Sequence, residues 1–199
     1  DDASFDRELS LNAAGLQPQV TWGTSVDQVG PIGARVPDPG AAPDATSRHA
    51  LAQTLHYMGL APHQPLEGLP VQHVFIGSCT NGRLSDLTIA AELVRGRKVA
   101  PGIRAWVVPG STTVKRAAER EGLDRIFKDA GFAWRESGCS MCSAVNGDIV
   151  APGERSISTT NRNFVGRQGP GSRTHLASPA VAAASALTGV ITDPRKLAS

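Results

Sequence analysis

Residues 71–112 read VQHVFIGSCTNGRLSDLTIAAELVRGRKVAPGIRAWVVPGST, and this stretch decides the fold. Val71–Ile76 is a short apolar run of strand length, halted by the small, polar loop GSCTNG. From about Leu84 to Val94 the apolar residues fall at helical spacing. Arg104–Val108 is a second short strand, closed by Pro109-Gly110. Strand, helix and strand in that order predict a parallel pair joined by a crossover helix.

The alternation continues downstream. After the loop PGSTT a helix runs to Glu121 and stops at Gly122; a short helix spans about Leu123 to Ala130 and ends at Gly131. Phe132–Arg135 is a third strand running into SGCSMC, and Ser156–Ser158 a fourth running into TTNRNFVGRQGPG. A last helix, Ser178–Leu187, is capped by Gly189. Upstream, a helix from about Ser47 to Met58 carries Ala50, Leu51, Thr54, Leu55 and Met58 on one face, with Gly59 as its stop. Residues 1–45 contain Trp22-Gly23-Thr24 and the run VGPIGARVPDPGAAPD, and are expected to be irregular with one or two short strands. The expected organisation is an irregular segment over 1–45, continuing from domains outside this chain, and an α/β domain over 46–199. Its sheet is parallel and flanked by helices. Ligands of such sheets sit beyond the carboxyl ends of the strands. GSCTNG, PGSTT, GCSMC and TNRNF all follow predicted strands, so all four are expected on one edge.

Composition narrows the function classes. The chain has 199 residues and a net charge of +2, which excludes a basic nucleic-acid footprint. No apolar run approaches the roughly 20 residues of a membrane helix. Asp1 opens the chain without Met or a basic, apolar signal region, and FDRELSLNAAG reads as the middle of a segment; a longer parent chain is expected. Three cysteines form an odd set, unlike a secreted disulfide framework, and point to a reducing, cytoplasmic setting with thiolates as metal ligands.

Cys139 and Cys142 form a C-x-x-C pair, and Cys79 arrives from another strand end. Three thiolates would leave one iron of a four-iron cluster without a protein ligand, since such clusters usually take four. A lone buried cysteine is more often core filler, and a C-x-x-C pair also suits zinc or a redox couple. Zinc would need a fourth ligand from His49, His56, His63, His73 or His175, none of which has characteristic spacing to the cysteines. Spacing leaves both metals open. Arg162 and Arg167 lie five residues apart around glycine in NRNFVGR, a pattern suited to gripping carboxylates bidentately, although a single surface arginine is usually only solvated. Arg173 and His175 are candidates for either facing or packing the site, and Ser111 reads first as a helix N-cap.

VFIGSCTNGRLSDL, WRESGCSMCSAVNGD and STTNRNFVGRQGPGSRTHLASPAVAAASALTG together resemble the aconitase superfamily, and within it the isopropylmalate dehydratase large subunits. VTWGT, GRKVAPGIRAWVVPGS and EGLDRIFKDAGFAWRESGCSMC extend the resemblance from about Phe5 to about Lys196. It implies an aconitase-type cluster-bearing domain in which Cys79, Cys139 and Cys142 hold a 4Fe–4S cluster. It further implies that Asn161 lies near that cluster and that Arg162 and Arg167 bind a small dicarboxylate substrate. The implied reaction is that of a hydro-lyase of leucine biosynthesis, interconverting 2-isopropylmalate and 3-isopropylmalate by dehydration and rehydration. The implied partners are a separate small subunit, which supplies the base, and N-terminal domains of the large subunit; no catalytic acid or base is assigned within this chain. A homoaconitase-type dehydratase and a non-catalytic metal-binding or subunit-docking module are the alternatives. The chain departs from the family at Ser25-Val26, where a proline commonly follows, and at Ser143 and Val145, where bulkier apolar residues are frequent.

Overall fold

The computed structural model describes residues 3–145 and 147–197. Its centre is a five-stranded sheet formed by β3 (His73–Gly77), β4 (Arg104–Val108), β5 (Ala133–Trp134), β6 (Arg155–Ser158) and β7 (Arg173–Leu176). The order across the sheet is β5-β4-β3-β6-β7 and every pairing is parallel. The chain therefore builds outward from β3 to β5, returns, and lays β6 on the other side of β3. The gap beyond the ends of β3 and β6 is the topological switch point, where open α/β sheets place their ligands.

The two faces of the sheet are covered differently. Val74, Ile76, Ala105, Val107 and Ile157 lie in the main core with Leu87, Ala90, Ala91 and Val94 of α3 (Leu84–Val94) and Phe127 of α5 (Leu123–Ala130). Val181, Ala182, Ala183 and Ala186 of α6 (Pro179–Thr188) complete it. Small residues on α3 and α6 let those helices approach closely. On the opposite face Phe75 and Val108 pack with Met141, Cys142 and Val150 in a separate small cluster. There the cover is the cysteine loop, through its single 3-10 turn over Ser140–Cys142. Each fully buried side chain of this size is worth about 1.5–3 kcal/mol, so the loop contributes to holding the sheet.

Local signals set the remaining boundaries. Asp44 Oδ1 accepts from Ser47 N at 2.7 Å to start α1 (Ala45–Met58), and Gly59 ends it in the left-handed conformation. Ser111 caps α4 (Thr112–Arg120) by accepting from Val114 N, the N-cap role expected of it. Between β3 and α3 the chain makes one turn of helix, α2 (Ser78–Asn81), which the sequence reading leaves as loop.

β7 is the one sheet strand not expected. RTHL carries a single aliphatic residue, yet Thr174 and His175 are buried. Their polar groups are matched: Thr174 Oγ1 donates to Gln168 Oε1 at 2.9 Å, and His175 bonds at both ring nitrogens, to the Thr21 backbone carbonyl and the Arg155 guanidinium. Residues before α1 supply β1 (Gln19–Thr21) and β2 (Val29–Pro31), an antiparallel pair where one or two short strands were expected. They are not peripheral. Val20 is fully buried and bridges to Ala177, and Thr21 Oγ1 accepts from Leu176 N at 2.7 Å.

Candidate functional site

The four loops gather at the carboxyl edge. β3 ends at Gly77, whose backbone (φ 137°, ψ −141°) suits glycine alone. A Cβ there would lie 1.9 Å from Val108 O, so β3 and the end of β4 touch backbone to backbone. Gly82 makes the second close approach: its carbonyl accepts from Gly110 N at 2.9 Å. GSCTNG thus carries glycines where the Cys79 turn seats on Pro109-Gly110.

The same turn is stitched to the loop after β6. Thr159 Oγ1 accepts from Gly77 N at 2.8 Å and donates to Gly77 O at 3.0 Å. Asn81 Nδ2 donates to Thr159 O. The strand ends that flank the switch point are locked together through side chains, with Cys79 and Asn161 on either side. Cys79 and Asn161 are exposed.

Arg162 is exposed and its guanidinium contacts only the carbonyl of Asn161, at 3.3 Å. Arg167 is half-buried, lies over the Phe164 ring at 5.4 Å, and directs Nη2 at Cys142 Sγ, 3.5 Å away. Neither forms an ion pair among the described residues. Arg167 Nε is buried without a hydrogen-bond partner. Two cations without acids, at the edge that carries the thiols, leave donor capacity for an external anion.

The cysteine loop is fastened from below. Asp148 is nine-tenths buried; its Oδ1 accepts from Arg135 Nη2 at 2.6 Å and its Oδ2 from Ser140 Oγ at 2.7 Å. Arg135 in turn stacks on the Trp106 ring of β4 at 4.7 Å. Sequence reasoning passed over Asp148, Thr159 and Asn81, whose roles depend on partners far away in the chain; only the proximity of Asp148 to the C-x-x-C pair hinted at one of them.

Asn163 explains the Trp22-Gly23-Thr24 loop. Its Nδ2 donates to Gly23 O at 2.7 Å, with Thr21 Oγ1 and Ser25 O at 3.3 Å. Gln28 Oε1 accepts from Thr24 N and Ser25 N on the other side. The loop is held from both sides against the arginine segment. Tyr57 fixes the far end of that segment, its hydroxyl accepting from Gly166 N at 3.0 Å and donating to Ser172 O at 2.8 Å.

Arg173 and His175 pack the fold and do not face this edge. Arg173 Nε donates to Tyr57 O at 3.1 Å and Arg155 Nη2 to Met58 O at 3.0 Å, so two arginines cap the carboxyl end of α1. His175 donates from Nδ1 to Thr21 O at 2.6 Å and accepts at Nε2 from Arg155 Nη1 at 2.8 Å, which defines one neutral tautomer. Burial first, and then the Arg155 charge, push its pKa down to about 3. His73 pairs with Glu154 at 2.6 Å at the amino edge, and burial pushes it down as well.

All three cysteines are free thiols; Cys79 and Cys139 are exposed, and Cys142 is buried beside Arg167. Among the described residues no group of three or more His, Cys, Asp or Glu side chains stands close enough to hold a metal ion. In donor chemistry the edge still suits a thiolate-bound iron group. It offers three unpaired thiols on two loops, and the orphaned Arg167 Nε beside one of them. No helix of the described residues is long and apolar enough to cross a membrane.

Residues 1–189 match the family model described as the aconitase family (aconitate hydratase). The chain is also similar to 3-isopropylmalate dehydratase large subunit 1 of Bradyrhizobium diazoefficiens, with 62% identity over 196 residues. That match takes in 98% of this chain and 41% of the relative, so the chain spans about two fifths of the length of this curated relative.

Proposed function

The chain belongs to the aconitase family, and we propose that it is the cluster-bearing portion of an isopropylmalate dehydratase large subunit, acting in leucine biosynthesis. Cys79, Cys139 and Cys142 are its 4Fe–4S ligands, and Asn161, Arg162 and Arg167 its substrate contacts. Held by three thiolates, such a cluster supplies a Lewis acid at its one iron without a protein ligand. The protein's own part is to bind and orient. Arg162 and Arg167 grip the carboxylates of a 2- or 3-hydroxy dicarboxylate, and Asn161 lies between them and the Cys79 turn. The bonds from Thr159 and Asn81 to the Cys79 turn keep clamp and thiols in one frame. Orientation of this kind accounts for a large part of a barrier, up to roughly 7–11 kcal/mol in favourable cases.

The observation that carries the reading is the Arg167 guanidinium, 3.5 Å from Cys142 Sγ and, like that of Arg162 in the same loop, without an acidic partner among the described residues. The 62% identity to a dehydratase large subunit supports the choice of substrate. The word "large" in that relative's name implies a small subunit, which would complete the site and supply the base. Free thiols suit a reducing, cytoplasmic compartment.

The test is anaerobic reconstitution with ferrous iron and sulfide, followed by metal and sulfide analysis. The chain should bind about four irons and four sulfides, and Cys79→Ser, Cys139→Ser and Cys142→Ser should each abolish this. Zinc uptake without sulfide, or unchanged iron in Cys79→Ser, overturns the assignment. The assembled enzyme should turn over isopropylmalate in preference to homoaconitate; the reverse preference would make it a homoaconitase.

A further inference from the structure

Besides the contacts of Cys142 itself, the loop that carries Cys139 and Cys142 is held by bonds that involve neither thiol. Ser140 stands between the two cysteines with φ 47°, a left-handed conformation that is strained for a residue with a Cβ. Cys142 N bonds back to Cys139 O at 2.9 Å, and Val145 N to Ser140 O at 3.3 Å, so the loop is a tight double turn about that residue. Among the described residues the side-chain bond securing Ser140 runs from its Oγ to Asp148 Oδ2 at 2.7 Å. The other oxygen of Asp148 is tied through Arg135 to Trp106, linking the turn to β4 and the end of β5.

We infer that Asp148 is a positioning residue for the C-x-x-C pair, holding Ser140 in its left-handed turn so that both thiols are presented before any metal arrives. The inference rests on the reading of those thiols as cluster ligands. Its physical basis is preorganisation. A loop already fixed loses little conformational entropy when its ligands close on a metal, whereas a free one must be ordered residue by residue as the metal binds. A charge-assisted bond from a buried carboxylate suits this task better than a neutral one, being roughly twice as strong. Both carboxylate oxygens are occupied by Ser140 and Arg135, so Asp148 acts through the loop and not on the substrate.

Three readouts test this, one of them independent of any metal. In the metal-free chain, amide hydrogen exchange at Cys142 and Val145 should rise about tenfold or more in Asp148→Asn and in Ser140→Ala. Exchange in α3 and α5, which pack in the main core away from the loop, should be unchanged. After anaerobic reconstitution, iron loss to a chelator should be about 10- to 100-fold faster in both variants, the usual range for residues that orient metal ligands. Adding Ser140→Gly to Asp148→Asn should recover part of this loss, because glycine adopts the left-handed turn without a clamp. Unchanged exchange at Cys142 and Val145 in Ser140→Ala, a substitution too small to unfold the chain, overturns the inference. So does iron loss at the unsubstituted rate in either variant. A chain that takes up no iron and sulfide at all would instead sink the cluster reading, while the exchange result would still decide whether Asp148 fixes the loop.

Discussion

Gly77→Ala tests the geometry on which the site is built. The added methyl would stand 1.9 Å from Val108 O and 2.7 Å from Val108 C, both backbone atoms of a paired strand. No rotamer change relieves such a contact; either β3 separates from β4 or Gly77 changes conformation. The conformation itself, φ 137° and ψ −141°, costs a residue with a Cβ about 1–3 kcal/mol. Overpacking adds about 1–3 kcal/mol, so a combined loss of about 2–6 kcal/mol is expected. Against a total stability of roughly 5–15 kcal/mol, that is a large share. With a urea slope of about 2 kcal/mol per molar, the unfolding midpoint should fall by roughly 1–3 M. The control is Gly68→Ala, at φ 87° with nothing within 4 Å of its Cβ, which carries only backbone strain of about 1–2 kcal/mol. Coincident midpoints for the two variants would refute the backbone contact between β3 and β4.

Two further outcomes follow from the same structure. His175 has its pKa lowered from 6.5 to about 3, so below pH 6.5 the unfolded chain takes up a proton that the folded chain refuses. Its contribution is intact above pH 6.5 and is lost as pH falls towards 3, at about 1.4 kcal/mol per unit. Between pH 6.5 and 5 this amounts to about 2 kcal/mol; urea unfolding of His175→Asn should show a flatter pH slope there, and an unchanged slope would remove His175 as the cause. In the complete enzyme with its partner, Arg162→Lys should lower kcat/KM by about tenfold or more while exposed Arg120→Lys leaves it near unchanged, since lysine lacks the bidentate fork. Equal activities would reject the carboxylate clamp.

Much of the fold was legible because its main signals are local. α3 and α5 begin and end where periodicity and flanking residues place them, and β4 matches its apolar run. The gathering of four loops at one edge follows from each of them trailing a strand. β7 was not legible, because RTHL is buried through hydrogen bonds to Gln168 and Thr21 and from Arg155, and no hydrophobic pattern records those. His175 looked as much like a site residue as a packing one for the same reason: its partners are Thr21 and Arg155, far off in the chain. Around the candidate site, residue types and the edge were legible. The Thr159–Gly77 and Asn81–Thr159 stitches were not, since each joins residues about 80 apart in the chain.

Met141 sits between the two cysteines of the C-x-x-C pair and is fully buried against Phe75 and Val108. The segment bearing the thiols is therefore also the cover of this face of the sheet. Loops usually vary more freely than the elements they connect. Here a change that retunes the loop also risks exposing Phe75, and a change that repacks Phe75 moves Cys142. Attempts to graft this thiol pair elsewhere would have to carry the sheet along with it, and directed evolution at positions 140–142 should return few folded variants.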